Sequence, residues 1–226
     1  IRVEDINYQI AGNGTEHDAT EASIGGFVGW RGTNLWMNSL VNVSLADYDI
    51  TRTVALGAAT RRHHGETHGH SASLGFTAGY DVEMDKLTVT PLASLLLQYV
   101  SLDGFAEDNP DLSTSMRFLN INRRSALGSL GAEFAYELTD LTEVFARATW
   151  DHEFAGVGSN RAQLQSIPGS LPFALPGSDR PSDNVTLHTG FRSRHEAFNV
   201  TGGLISSLAV GGDTNVTGYV TLSRSF

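Results

Sequence analysis

The stretch Ser71–Met84, SASLGFTAGYDVEM, sorts into two chemically distinct sets by simple alternation. Ala72, Leu74, Phe76, Ala78, Tyr80, Val82 and Met84 form one set, and Ser71, Ser73, Gly75, Thr77, Gly79, Asp81 and Glu83 form the other. Successive side chains of a β-strand point to opposite faces, so a period of two places the apolar set on one face and the polar set on the other. The length is unusual, because ordinary strands run for about five or six residues.

The same sorting recurs along the chain. Ala126, Gly128, Leu130, Ala132, Phe134, Tyr136 and Leu138 oppose a face that contains Ser125, Ser129, Glu133 and Glu137. Val144, Ala146, Ala148, Trp150, His152 and Phe154 oppose Glu143, Phe145, Arg147, Thr149, Asp151 and Glu153. Asn-Val-Thr opens three later segments at Asn184, Asn199 and Asn215, with Asn42-Val43-Ser44 as a near copy, and each again splits apolar from polar. About ten such strands are predicted. Short turns are expected near residues 31–34, 85–86, 139–141 and 195–197, and longer loops near 11–20, 58–70, 104–120 and 155–183. A final tight connection falls at Gly212-Asp213-Thr214.

Alternating short and long connections distinguish a transmembrane barrel from a soluble sandwich, because barrels in the outer membrane of bacteria have short periplasmic turns and long extracellular loops. Several segments exceed the ~9 to 11 residues that a tilted strand needs to cross a bilayer. Trp30, Tyr80, Tyr136, Trp150, Phe154 and Phe198 sit near segment ends on the apolar face, where interfacial aromatics belong. The reading is an all-β fold, a transmembrane antiparallel barrel in the bacterial outer membrane, with residues 1–226 as one domain.

Composition agrees and excludes other classes. The 226 residues include 24 Gly, 6 Pro and no Cys, carry a formal charge of -10, and are 40% hydrophobic; mean hydropathy is -0.14. No run approaches the ~18 apolar residues of a membrane helix. The acidic balance argues against nucleic-acid binding, which depends on clustered Lys and Arg. Absence of Cys excludes disulfides and thiol chemistry. Ile1 opens neither a Met start nor a basic leader, as expected of a mature or excised segment.

The last residues, Val216-Thr217-Gly218-Tyr219-Val220-Thr221-Leu222-Ser223-Arg224-Ser225-Phe226, put Val216, Gly218, Val220, Leu222 and Phe226 on one face. This resembles the terminal strand of bacterial outer-membrane proteins, and the resemblance implies that these five residues are read by the barrel-assembly machinery. Arg224 departs from that pattern, although a long cationic side chain can snorkel to the headgroups. A more specific resemblance is carried by Asp47-Tyr48-Asp49-Ile50-Thr51-Arg52, Leu56-Gly57, Gly65-Glu66-Thr67-His68-Gly69, Gly79-Tyr80-Asp81-Val82, Leu87-Thr88-Val89-Thr90-Pro91, Asp103-Gly104-Phe105-Ala106-Glu107, Ser129-Leu130-Gly131 and Trp150-Asp151-His152-Glu153-Phe154. In this order they are similar to the translocator β-domain of autotransporters, the type V secretion proteins, and most of all to those with a lipase or esterase passenger. Membership implies a twelve-stranded barrel threaded by an N-terminal linker helix, with the helix and first strands outside this sequence.

The polar face carries Arg52, Asp81, Glu83, Glu133, Glu137, Glu143, Arg147, Asp151, Glu153, Arg192 and Arg194, expected to line a hydrated lumen and pair across strands, as Glu133 or Glu137 with Arg147. Gly75, Gly79 and Gly131 on that face would leave clearance for a lumen helix. The tract Arg61–His70 holds four of the eight His, but its spacing matches no metal motif, and it reads as a solvated loop. His152 and Glu153 fall on opposite faces and cannot act together on a substrate. The loop 155–183 holds four of the six Pro, which disfavours regular strand, and reads as a folded extracellular loop or plug. No Gly-x-Ser-x-Gly is present. The barrel is therefore read as a non-catalytic, monomeric anchor and translocator with no cofactor or metal. Its expected partners are outer-membrane lipid, the assembly machinery, its own linker helix and an N-terminal passenger. The alternatives are a free-standing barrel acting as pore or adhesin, and an outer-membrane enzyme whose site forms where residues 103–108 and 151–153 converge.

Overall fold

The computed structural model describes residues 2–10, 15–156, 160–175, 182–195, 198–209, 212 and 214–224; within β1 (Arg2–Ile10) side chains are described for Arg2 and Glu4 only, and β2 (Thr15–Arg31) is described with side chains from Glu16 onward. Phe226, the last residue of the assembly signal expected from sequence, lies outside them. Long strands follow: β3 (Leu35–Leu56), β4 (Ala59–Tyr80), the short β5 (Val82–Met84) and β6 (Leu87–Leu102). After β7 (Phe105–Ala106) and β8 (Met116–Phe118) come β9 (Ile121–Thr139) and β10 (Thr142–Glu153). Then β11 (Arg161–Leu164) and β12 (Phe173–Ala174) precede β13 (Asp183–Arg194), β14 (Asn199–Ala209) and β15 (Thr214–Ser223).

Ten of these strands pair antiparallel in the order β1-β2-β3-β4-β6-β9-β10-β13-β14-β15, with β5 paired to β6 beside that path. Every neighbour along the path is a neighbour in sequence apart from the small strands, the up-and-down meander of a barrel wall. The sheet is open among the described residues, with β1 and β15 at its two edges.

Register shows how alternation becomes two surfaces. Directly opposed residues share a face. Val43 faces Ala72, Ala72 faces Tyr99 and Tyr99 faces Arg124, whereas Ser44 faces Ser71 and Thr90 faces Glu133. On β4 the apolar face runs from Ala72 to Tyr80, and beyond Ala72 the same face turns polar, with His70, His68, Glu66, His64 and Arg62 in succession. The switch recurs at Leu45/Asp47 on β3 and Ala126/Arg124 on β9. Nine residues at ~3.3 Å each give about 30 Å along a strand, which a tilt of ~35 to 45° reduces to the ~25 Å apolar band of an outer-membrane barrel. Leu74, Phe76, Leu95, Leu130, Phe134 and Leu204 are exposed within this band, as lipid contact requires.

The expected loops are partly strand. Residues 58–70 form no loop: β3 and β4 continue past the apolar band and meet at a two-residue turn, Gly57-Ala58, where Gly57 has φ 62°. β2 likewise begins at Thr15, inside the loop expected over 11–20. Mixed His, Thr and Arg residues hid the alternation, because above the band both faces of the strand are polar. Asp85 adopts φ 54° in the tight turn to β6, a left-handed conformation that Asp tolerates.

The strand glycines of the polar face do not leave the room expected for a helix. A Cβ at Gly79 would lie 2.4 Å from Trp36 Cζ2, one at Gly75 2.9 Å from Leu40 Cγ, and one at Gly131 2.0 Å from Ala148 O. Neighbouring strands already occupy that space.

Candidate functional site

The polar face is organised as three ionic clusters, one at each end and one midway. At the short-turn end Asp81 is buried and accepts from Arg31 at 2.6 Å, from the Trp36 indole at 3.1 Å and from Thr90 at 2.8 Å, while Asn34 donates to its carbonyl at 2.8 Å. These contacts tie the β2–β3 turn to β4 and β6. Arg31, Trp36 and Thr90 were not singled out from sequence. Their register opposite an inward Asp is the signal that identifies them.

Midway, Glu133 accepts from Arg147 at 2.6 Å and from Arg192 at 3.0 Å, and Arg192 reaches Glu143 at 2.8 Å. Arg192 also lies 4.1 Å above the Phe145 ring, in cation–π contact. Of the two partners expected for Arg147, Glu133 is the one that pairs with it. Glu137 faces Glu143 in register, four residues along β9 from Glu133, which is the residue directly opposite Arg147. Asp151 accepts from Thr186 at 2.6 Å, and Glu153 accepts from Ser125 and from the Ala126 and Ala155 amides. Glu83 and Arg194 share the polar face by register, facing Thr88 and Asn199. Replacing Glu133 by Gln leaves Arg147 without a carboxylate and Arg192 with Glu143 alone, and we expect a loss of about 1 to 3 kcal/mol in denaturant unfolding. The exposed Glu83→Gln should leave the midpoint unchanged.

The third cluster, at the long-loop end, has the most buried charge. The loops after β6 and β10 build a second sheet in the order β12-β11-β8-β7, so residues 155–183 contribute short strands that the prolines led sequence analysis to exclude. Pro168 and Pro172 flank rather than interrupt β11 and β12. This small sheet docks on the polar face of the β3–β4 hairpin. Glu107 is 5% exposed and accepts from Arg52 through Nε and an NH2 group, both at 2.6 Å, and from the Met116 amide at 2.8 Å. Arg52 also donates to Thr114 O at 2.8 Å. Gln165 donates to Glu107 O and Ser115 Oγ, both at 2.8 Å, stitching one loop to the other. Phe105 stacks on Phe118 at 4.7 Å over Gly65.

The tract 61–70 is divided by alternation. His63, 1% exposed, points into this third cluster, with Nε2 2.8 Å from Thr114 Oγ1 and Nδ1 3.9 Å from Glu107 Oε2, without a hydrogen-bond partner. His64, His68 and His70 point to the opposite face, above the apolar band. There Asp49, His64 and Glu66 hold donor atoms within 4.8 Å of one another, a set compatible with a divalent ion. All three face solvent, and the imidazole itself joins the carboxylates, at 3.1 Å from Asp49 and 3.5 Å from Glu66.

His152 and Glu153 lie on opposite faces, as alternation requires. His152 Nδ1 is 2.9 Å from Asp183 Oδ1, at the edge of the band. Its hydrogen bond, opposed by desolvation and assisted by Ser182 and Trp150, holds the Asp183 carboxyl below its ordinary value. That contribution is present at neutral pH and is lost as pH falls through the lowered value. The convergence of residues 103–108 with 151–153 that an enzyme would need does not occur: among the described residues no hydrogen bond or ion pair joins the two groups. Glu107 is spent on Arg52, and His152 faces away.

An antiparallel meander with an outward apolar band, aromatic edges and a charge-paired polar face defines the wall of an outer-membrane β-barrel. The family model of the autotransporter β-domain matches residues 3–204, and the chain belongs to that family. Among solved structures, the fold is similar to the translocator domain of autotransporter NalP from Neisseria meningitidis, with TM-score 0.68 and 16% identity over 98% of this chain and 77% of that one. It is also similar to the transport unit of AIDA-I from Escherichia coli, with TM-score 0.58 and 15% identity over 96% of this chain and 69% of that one. The β-domain of the Bordetella autotransporter BrkA gives TM-score 0.57 and 14% identity, covering 97% and 86%. In sequence, the chain is 26% identical over 184 residues to an uncharacterised protein of the trpE-trpG intergenic region of Pseudomonas putida, covering 80% of this chain and 30% of that protein. It is 26% identical over 140 residues to Lipase 1 of Photorhabdus luminescens, covering 60% of this chain and 20% of that protein. The chain thus spans under a third of the length of these relatives.

Proposed function

We propose that this chain is the membrane-embedded translocator of a larger autotransporter whose N-terminal passenger is an esterase or lipase, exported or displayed at the cell surface. The barrel wall is the transport and anchoring unit of its family, and the hydrolytic chemistry belongs to the passenger. The likeness to Lipase 1, which extends well beyond the matched segment, carries the passenger assignment. In this reading the polar face lines a hydrated lumen, the eleven charged residues from Arg52 to Arg194 form its lining, and the barrel acts as a monomer.

Two further strands and a linker helix complete the barrel in this reading. The open edges at β1 and β15 support it, as does an exposed apolar pair on the polar face near β1, Phe27 at 87% and Leu40 at 47%, which face each other in register. The outward row Val216, Gly218, Val220 and Leu222, continued in sequence by Phe226, is the strand that the assembly machinery would take up by edge pairing.

Expression of the native open reading frame with an epitope in its N-terminal region tests the proposal. Intact cells should hydrolyse a chromogenic fatty-acyl ester and lose the epitope to added protease. Ending the chain before Val216 should abolish both. An epitope that stays protected in cells carrying the complete chain overturns the translocator reading, and surface display without ester hydrolysis overturns the passenger class.

A further inference from the structure

The outward face is not uniformly convex. Between β4, β6, β9 and β10 it carries a groove of about 570 Å³, within the size range of small-molecule sites. Its floor is made by small residues, Ala72 and Ala126, and its walls by Leu74, Leu97 and Phe154. Register explains the shape. Ala126 lies beside Phe154, whose amide donates to Ala126 O at 2.9 Å, and the Phe154 ring leans over Gly128, where a Cβ would be 2.8 Å away. The groove therefore runs in the upper part of the apolar band and ends where that face turns polar.

Arg124 stands at the upper end of the groove. It is exposed, faces Tyr99 in register, and has no hydrogen bond or ion pair among the described residues. Nearby carboxylates do not neutralise it. Asp183 is engaged by His152 and Trp150, and Glu153 points to the opposite face. The Tyr99 hydroxyl donates to Asn122 at 2.9 Å beside it and adds a polar rim. A lone guanidinium at headgroup depth, on a chain of formal charge -10, is a phosphate-binding group that the protein's own acids leave free.

We propose that this groove is a binding site for one anionic lipid of the outer leaflet, with an acyl chain over Ala72 and Ala126 and its phosphate on Arg124. The site draws only on the membrane orientation of the barrel and is independent of the passenger's chemistry. An acyl chain fills an apolar trough without leaving any polar group unpaired, and a phosphate offers the guanidinium two oxygens in its own plane.

The test is native mass spectrometry of the complete protein in detergent, with dimyristoyl phosphatidylglycerol and dimyristoyl phosphatidylcholine supplied at equal concentration. The two probes share their chains and phosphodiester and differ in net charge, because the choline cation offsets the phosphate in one and nothing but Arg124 would offset it in the other. The wild-type protein should retain one phosphatidylglycerol about fivefold more than phosphatidylcholine, the preference given by one cation at the membrane surface. Arg124→Gln should retain both equally, and Ala126→Phe, which fills the trough, should retain neither. Equal retention by the wild type, or a preference that survives Arg124→Gln, overturns the site. Should Ala126→Phe fail to fold, Arg124→Gln still decides, because it alters only an exposed side chain.

Discussion

Arg52→Ala should release the second sheet from the barrel mouth while leaving the wall intact. The guanidinium supplies two of the three hydrogen bonds to the buried Glu107 carboxylate and also holds Thr114 O. Removing one partner of a buried pair costs about 3 to 5 kcal/mol, because the remaining charge has lost both water and counterion. Strands of two to four residues cannot absorb such a loss by themselves. They open instead, letting Glu107 reach solvent. Hydrogen exchange should accelerate at least a hundredfold in residues 105–118 and 161–164, with β9 and β10 unchanged. Replacing both partners by apolar residues, Arg52→Met with Glu107→Leu, should recover most of the protection, as buried pairs exchanged for packed hydrocarbon often do. Unchanged exchange in Arg52→Ala would show that the sheet is held without the Arg52–Glu107 pair, by contacts such as the Phe105–Phe118 stack, Gln165 and His63–Thr114.

A comparable loss is expected in the wall from a single methyl group. Gly131 faces Thr149 across β9 and β10, and an added Cβ would stand 2.0 Å from Ala148 O and 2.8 Å from Thr149 Cα. Both obstacles are backbone, so no rotamer change relieves them, and the two strands must separate at the point where Glu133 and Arg147 pair one step away. Gly131→Ala should therefore destabilise the folded wall by about 3 kcal/mol, at the upper end of ordinary overpacking. Gly26→Ala is the matched control, since nothing lies within 4 Å of its Cβ position, and it should change the midpoint by less than about 0.5 kcal/mol. The measurement is the urea midpoint of the folded band in unheated gels. If both variants shift equally, glycine content rather than close approach sets the stability.

The wall was legible in the sequence because lipid and lumen impose opposite chemistry on alternate residues. Strands such as 71–84 and 126–138 declare both their period and their faces. The upper β3–β4 hairpin was not legible, because His64, Glu66 and His68 on one face and His63 and Thr67 on the other are all polar, and alternation carries no signal where one polar face meets water and the other is buried against a polar second sheet. The ionic partners were half legible. Inward acids and arginines could be named, yet the choice of Glu133 over Glu137 depends on the pairing register of β9 with β10, which sets Glu133 opposite Arg147 and Glu137 opposite Glu143 and which no pattern of polarity reveals. Glu107 escaped entirely as a buried group, because its loop has no periodicity and its burial exists only once two loops distant in sequence form one sheet. Glycines misled in the opposite direction: Gly79 reads as space, and the structure fills it with Trp36.

The unequal heights of the strands give the mouth a direction. β3 and β4 continue for about ten residues beyond the apolar band, roughly 30 Å along each strand, whereas β13 and β14 end at Asp183 and Ala209, close to the level where the band ends. The second sheet leans on the tall side. Among the described residues the rim is thus a spout and not a level collar, with a back wall of hairpin and a low lip of late strands.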